Sequence, residues 1–87
     1  MQMLAALFAA ATLVVGAAPY ASVEISGPPG AELHVDGRPI TLFDNAGKVR
    51  LQLSAERHRL SVQRNGRVIE TREVTFGAGS TIVLKME

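Results

Sequence analysis

The sequence predicts an all-β fold: a small antiparallel β-sandwich or open barrel of about six short strands, preceded by an N-terminal hydrophobic signal helix. Three observations carry this. From Val23 onward, apolar and polar side chains alternate in short runs, the period of a half-buried strand. Turn-forming stretches separate those runs at nearly regular intervals: Pro28-Pro29-Gly30, Asp36-Gly37, Asp44-Asn45-Ala46-Gly47, Asn65-Gly66 and Gly77-Ala78-Gly79-Ser80. No Lys, Arg, Asp or Glu occurs before Glu24, which sets the first segment apart from the rest.

That segment, MQMLAALFAAATLVVGAAPYAS, holds an apolar run from Leu4 to Val15, followed by Gly16-Ala17-Ala18-Pro19. A membrane-spanning helix wants about 20 apolar residues, and the hydrophobic part of a signal peptide about 7 to 15. The run matches the second, and the small residues after it suit a signal peptidase. Residues 1–21 are expected to be a signal peptide cut between Ala17 and Ala21, with residues 22–87 as the mature β domain, periplasmic or extracellular. The alternative is an uncleaved membrane anchor over residues 4–20, since Met1-Gln2-Met3 has no basic side chain. Cysteine is absent, which removes disulfides, thiolate metal sites and lipoprotein processing together. A mature domain below about 70 to 80 residues has a thin core, and here no disulfide supports it.

Along the mature chain, Val23 and Ile25 face inward against Glu24 and Ser26. Pro28 and Pro29 remove two backbone donors and end that strand. Ala31, Leu33 and Val35 resume the alternation, and Asp36-Gly37 supplies residues that tolerate positive φ in a tight hairpin. Pro39 confines Ile40 to Phe43 to an edge strand or a loop. Val49, Leu51 and Leu53 face inward next, then Leu60 and Val62. Ile82, Leu84 and Met86 close the core from the last strand.

Asn65-Gly66 sets a hairpin register: Arg64 opposite Arg67, Val62 opposite Ile69, Leu60 opposite Thr71 and His58 opposite Glu73. Val74 and Phe76 are out of phase with Ile69, so a β-bulge is expected between Thr71 and Val74. On this register Arg59 and Arg72 become cross-strand neighbours on the outward face, in a group with Arg57, Arg64 and Arg67.

Lys and Arg number 9 against 8 Asp and Glu, a balance without the footprint of a nucleic-acid partner. His34 and Asp36, two apart on a strand face, make two metal ligands with no evident third. Asp44-Asn45-Ala46-Gly47 has the oxygens of a calcium-loop fragment but lacks its further acidic residues. Ser54 and Ser61 lie near His58 in sequence, yet Ser61 and His58 are expected on opposite faces, so no catalytic arrangement is expected. Phe43 and Phe76 are expected inside, which leaves no stacking platform for bases or sugars. No cofactor and no metal are expected.

One family resemblance rests on these residues. A first strand, then Pro28-Pro29-Gly30-Ala31, then Glu32-x-x-Val35-Asp36-Gly37, resembles the PEGA domain family, named for a Pro-Glu-Gly-Ala motif at this turn. Similar too are Arg57-His58-Arg59-Leu60-Ser61-Val62, the Gly66 that follows, and Val74-Thr75 with Gly79 and Ile82-Val83-Leu84. The resemblance covers roughly residues 22–87. It implies an extracytoplasmic β domain of the kind appended to envelope and surface proteins, and it implies no catalytic residues. The expected function is a non-catalytic exported module making protein or cell-envelope contacts. The alternative is an anion-binding module that uses Arg59, Arg72, Arg64 and Arg67 to meet an acidic envelope polymer, a lipid head group or an acidic protein.

Overall fold

The computed structural model describes residues 13–87. Eight strands follow one another: β1 (Leu13–Val15), β2 (Tyr20–Ser26), β3 (Glu32–Val35), β4 (Arg38–Leu42), β5 (Lys48–Ser54), β6 (Arg57–Arg64), β7 (Arg67–Thr75) and β8 (Thr81–Lys85). They form two separate four-stranded sheets, ordered β1-β5-β2-β8 and β4-β3-β6-β7, a sandwich rather than a barrel. The expected six strands correspond to β2, β3 and β5–β8. The two additions are β4, the edge strand that Pro39 permits, and β1, which lies within the segment read as a leader.

The expected antiparallel arrangement holds for most neighbours, but β1 runs parallel to β5 and β2 parallel to β8. Parallel neighbours need a long crossover. For β2 and β8 that crossover is everything between them in sequence.

Period-two alternation places the core where the sequence puts it. Val23, Ile25, Leu33, Val35, Val49, Leu51, Leu53, Leu60 and Val62 are all buried, and Phe43, Phe76 and Met86 fill the ends. Each such side chain contributes about 1.5–3 kcal/mol when it leaves water. Turn chemistry fits as well. Ala31 N–H donates to the Pro28 carbonyl at 3.1 Å, and Gly30 has φ 82. That is a type II turn with Pro29 at the position whose φ proline presets. Asp36 and Gly37 have φ 53 and 84, and Asn65 and Gly66 have φ 54 and 77. Positive φ at both central residues is the hairpin geometry that matches strand twist.

The β6–β7 hairpin departs from the expected register. Arg64 does face Arg67, but the bulge falls at Ile69: Gln63 pairs with Val68, and Val62 with Glu70. Every later pair is shifted by one residue. Leu60 faces Arg72 rather than Thr71, His58 faces Val74 rather than Glu73, and Arg59 faces Glu73 rather than Arg72. The early bulge brings Val74 and Phe76 into phase with the core at the cost of leaving Ile69 outside, 40% exposed. It also turns Glu70 and Arg72 toward the inner side of β7, where they pair with each other at 2.5 Å. Inward charge on an edge strand discourages a further strand from joining the sheet.

Tyr20 and Ala21 begin β2, and Ala21 is fully buried. A boundary at Ala21 and Ser22 therefore falls inside a strand. Leu13–Val15 is extended rather than helical. The expected signal helix otherwise concerns residues 1–12, which lie outside the described residues. The Pro19 carbonyl accepts from Ala55 N–H and the Tyr20 carbonyl from Gly79 N–H, each at 2.9 Å. At about 1 kcal/mol per bond, and with Ala21 gone as well, a chain starting at Ser22 should unfold about 10 °C below one starting at Leu13. Equal melting temperatures by circular dichroism would show that residues 13–21 add nothing to the fold.

Candidate functional site

The two sheets are joined at a corner where β5 ends and β6 begins. Only Ala55 and Glu56 separate these strands. The corner holds the two buried polar side chains among the described residues, Ser54 at 5% exposure and His58 at 3%. His58 sits in phase with Leu60 and Val62, so alternation turns its ring inward. Its ring lies 6.0 Å from that of Phe76, tilted by 49°.

A third residue arrives from the β3–β4 turn. With φ at 53, Asp36 turns its carboxylate across to β6. Oδ2 lies 2.6 Å from His58 Nδ1, and Oδ1 accepts from the Arg59 N–H at 2.9 Å. The Asp36 N–H in turn donates to the Arg59 carbonyl at 2.8 Å. On the other side of the ring, His58 Nε2 lies 3.0 Å from Ser54 Oγ and 2.9 Å from the Ser54 carbonyl. Ser, His and Asp thus stand in the hydrogen-bonded order of a hydrolytic triad.

Proton directions decide what the cluster does. Ser54 Oγ donates to Glu56 Oε2 at 2.5 Å, so its proton points away from His58. Both ring nitrogens face acceptors, the Asp36 carboxylate at Nδ1 and the Ser54 carbonyl at Nε2. A nucleophilic serine needs the reverse, with Nε2 receiving the hydroxyl proton. Space is closed too: a Cβ on Gly16 would stand 2.4 Å from Ser54 Oγ, so the chain before β2 lies directly over the hydroxyl. The cluster fastens three segments to one another. No buried side-chain nitrogen or oxygen among the described residues lacks a hydrogen-bond partner.

The sequence carried a signal for this cluster. His58 shares the inward phase of Leu60 and Val62, and a polar residue in such a phase must find partners. That Asp36 supplies one depends on β3 pairing with β6, which alternation alone does not specify.

The other singled-out residues disperse. His34 bonds Glu32 at 2.9 Å on the outer side of β3, whereas Asp36 turns to His58, so the two do not converge. The Asp44 carboxylate accepts from the Ala46 and Lys48 N–H groups at 2.9 and 2.8 Å and closes its own turn. Among the described residues, no group of three or more potential metal-ligating side chains comes together.

Arg59 donates to Glu73 at 3.1 Å, and Arg57 bonds the same carboxylate. Arg72 is held by Glu70, so Arg59 and Arg72 do not form the like-charge pair expected of them. Arg64 donates to the Pro29 carbonyl at 3.1 Å. Arg64 and Arg67 take part in no ion pair among the described residues. They face each other at the hairpin tip.

These groups make the chain a two-sheet β-sandwich with a buried polar corner and a basic hairpin. In comparison with known proteins, no family model and no curated protein matches the chain.

Carboxylate acidities follow from the geometry. Burial pushes the Asp36 carboxyl up, but the Arg59 N–H and His58 outweigh it and hold it below its ordinary 3.8. The Glu87 N–H and then Arg72 lower Glu70, while Arg57 and Arg59 lower Glu73. A carboxyl lowered by folding stabilises the fold above its unfolded value and loses that contribution as pH falls through its folded value. Stability should therefore fall from about pH 5 to about pH 2. Asp36→Asn should cost about 1–2 kcal/mol near neutral pH and flatten that acid limb. Urea unfolding across this range checks both, and an unchanged slope would remove Asp36 from the account.

Proposed function

We propose that the chain is a non-catalytic, exported β-sandwich module of the PEGA type, which makes protein or cell-envelope contacts. The observation that carries this is the use made of Ser54, His58 and Asp36. The group with a catalyst's composition is tied up by residues of the expected mature chain, with the Ser54 hydroxyl donating to Glu56 and the His58 ring set between the Ser54 carbonyl and the Asp36 carboxylate. Export is supported by the charge-free apolar start, and the module type by the Pro28–Ala31 turn and the Val35-Asp36-Gly37 hairpin.

An anion-binding role is the second reading. It is favoured at Arg64 and Arg67, which no carboxylate neutralises, rather than at Arg59 and Arg72, which bond Glu73 and Glu70.

Photo-crosslinking of tagged chain in fractionated cells tests the module reading, with intact-mass measurement of the mature N-terminus. The expected result is export with envelope cross-links that survive Ser54→Ala, and p-nitrophenyl acetate hydrolysis at background for both forms. Ester turnover that disappears with Ser54→Ala would overturn the non-catalytic reading. Soluble cytoplasmic chain retaining Met1 would overturn export.

A further inference from the structure

The β6–β7 hairpin ends in Arg64-Asn65-Gly66-Arg67-Val68-Ile69, all exposed. The bulge at Ile69 leaves two successive large apolar residues outside, Val68 at 53% exposure and Ile69 at 40%. Arg64, Asn65, Arg67 and Ile69 line a shallow recess of about 380 Å³ at this tip. The nearest carboxylate along β7 is Glu70, which is turned inward and occupied by Arg72 and the Glu87 N–H. On β6 the nearest in sequence is Glu56, before the strand begins. The tip is therefore basic and apolar at once, with no acidic side chain beside it in sequence. Arg64 also bonds the Pro29 carbonyl, which ties the tip to the proline turn.

The other exposed apolar side chains lack this combination. Val83 is 70% exposed but lies opposite Glu24, which Lys48 and Arg50 already pair, and Leu42 is 59% exposed but lies opposite Glu32, which bonds His34. At the tip, by contrast, two arginines without an ion pair among the described residues flank two exposed apolar side chains, and an anionic surface attracts it. A soluble polyanion would engage the arginines and gain nothing from Val68 and Ile69. A bilayer interface takes both, with guanidinium groups at the phosphates and short apolar side chains just beneath.

From this we infer that the hairpin tip is a peripheral membrane-contact site that docks on anionic phospholipid. The inference rests on the envelope-contact reading and specifies both its surface and its partner. Two arginines on one tip give weak, salt-sensitive attachment, with each arginine raising partition about fivefold at low ionic strength.

The test uses the full chain with vesicles of phosphatidylcholine, with and without phosphatidylglycerol, at low and high salt. All variants carry the same N-terminal apolar segment, so differences between them read the tip alone. Co-sedimentation with phosphatidylglycerol vesicles should fall about tenfold or more in Arg64→Gln/Arg67→Gln. It should fall several-fold in Val68→Ser/Ile69→Ser and stay unchanged in Val83→Ser. Thermal unfolding of each variant confirms the fold, since none of these side chains is buried. Because the chain has no cysteine, Val68→Cys also provides a single thiol for a polarity-sensitive fluorophore. Its emission should shift to the blue only with phosphatidylglycerol present.

Arginine dependence without Val68 or Ile69 dependence, reproduced by soluble polyphosphate, would overturn the membrane assignment in favour of a polyanion contact. The same holds if the fluorophore emission stays unshifted on anionic vesicles. Envelope-protein cross-links that persist beside such a result would leave the module reading standing while this inference falls.

Discussion

The joint at Asp36, His58 and Ser54 is the constraint on which the rest of the sandwich depends. Two four-stranded sheets share an apolar core, whose contacts are non-directional, and short connections of which the β5–β6 corner is among the tightest. His58 bonds the end of β5 with one ring nitrogen and the β3–β4 turn with the other. One imidazole therefore positions a corner and a hairpin together. A buried polar group is costly unless every donor and acceptor is met, and here each is. An apolar side chain in the same place would fill the volume without specifying which turn lies against which strand.

The cluster also separates composition from chemistry. Serine, histidine and aspartate in hydrogen-bonded succession describe a catalyst only when the hydroxyl proton faces the ring and a substrate can reach the oxygen. In this protein the hydroxyl serves Glu56, the ring serves a carbonyl, and Gly16 lies over the oxygen. The same three residue types here link the end of β5, the start of β6 and the β3–β4 turn through hydrogen bonds.

Much of the fold was legible from alternation and turn chemistry. The inward residues of β2, β3, β5, β6 and β8, and the positive-φ turns at Asp36-Gly37 and Asn65-Gly66, stand where period and residue type place them. The hairpin register was not, for a physical reason. Val62 and Ile69 look like partners because both are apolar, but the demand of Val74 and Phe76 for burial outweighs that match and pushes the bulge toward the turn. One displaced residue then reassigned the partners of Arg59 and Arg72 while leaving Arg64 opposite Arg67. β1 escaped notice because an apolar run without charges reads as a helix until a neighbouring edge, that of β5, offers it pairing. The partners of His58 were hidden because strand order between β3 and β6 is a long-range fact.

The parallel pairing of β2 with β8 has a kinetic consequence. Ser22 through Ser26 pair with Thr81 through Lys85, almost the full length of the domain later in the chain. Closing so long a loop before any contact rewards it makes such topologies slow to form. The first sheet is incomplete until the last strand has been synthesised. β2 pairs with β5 along Tyr20–Ser26 before then, but its other edge stays open until β8 arrives. That open edge is a row of unmet backbone donors and acceptors for as long as β8 is missing.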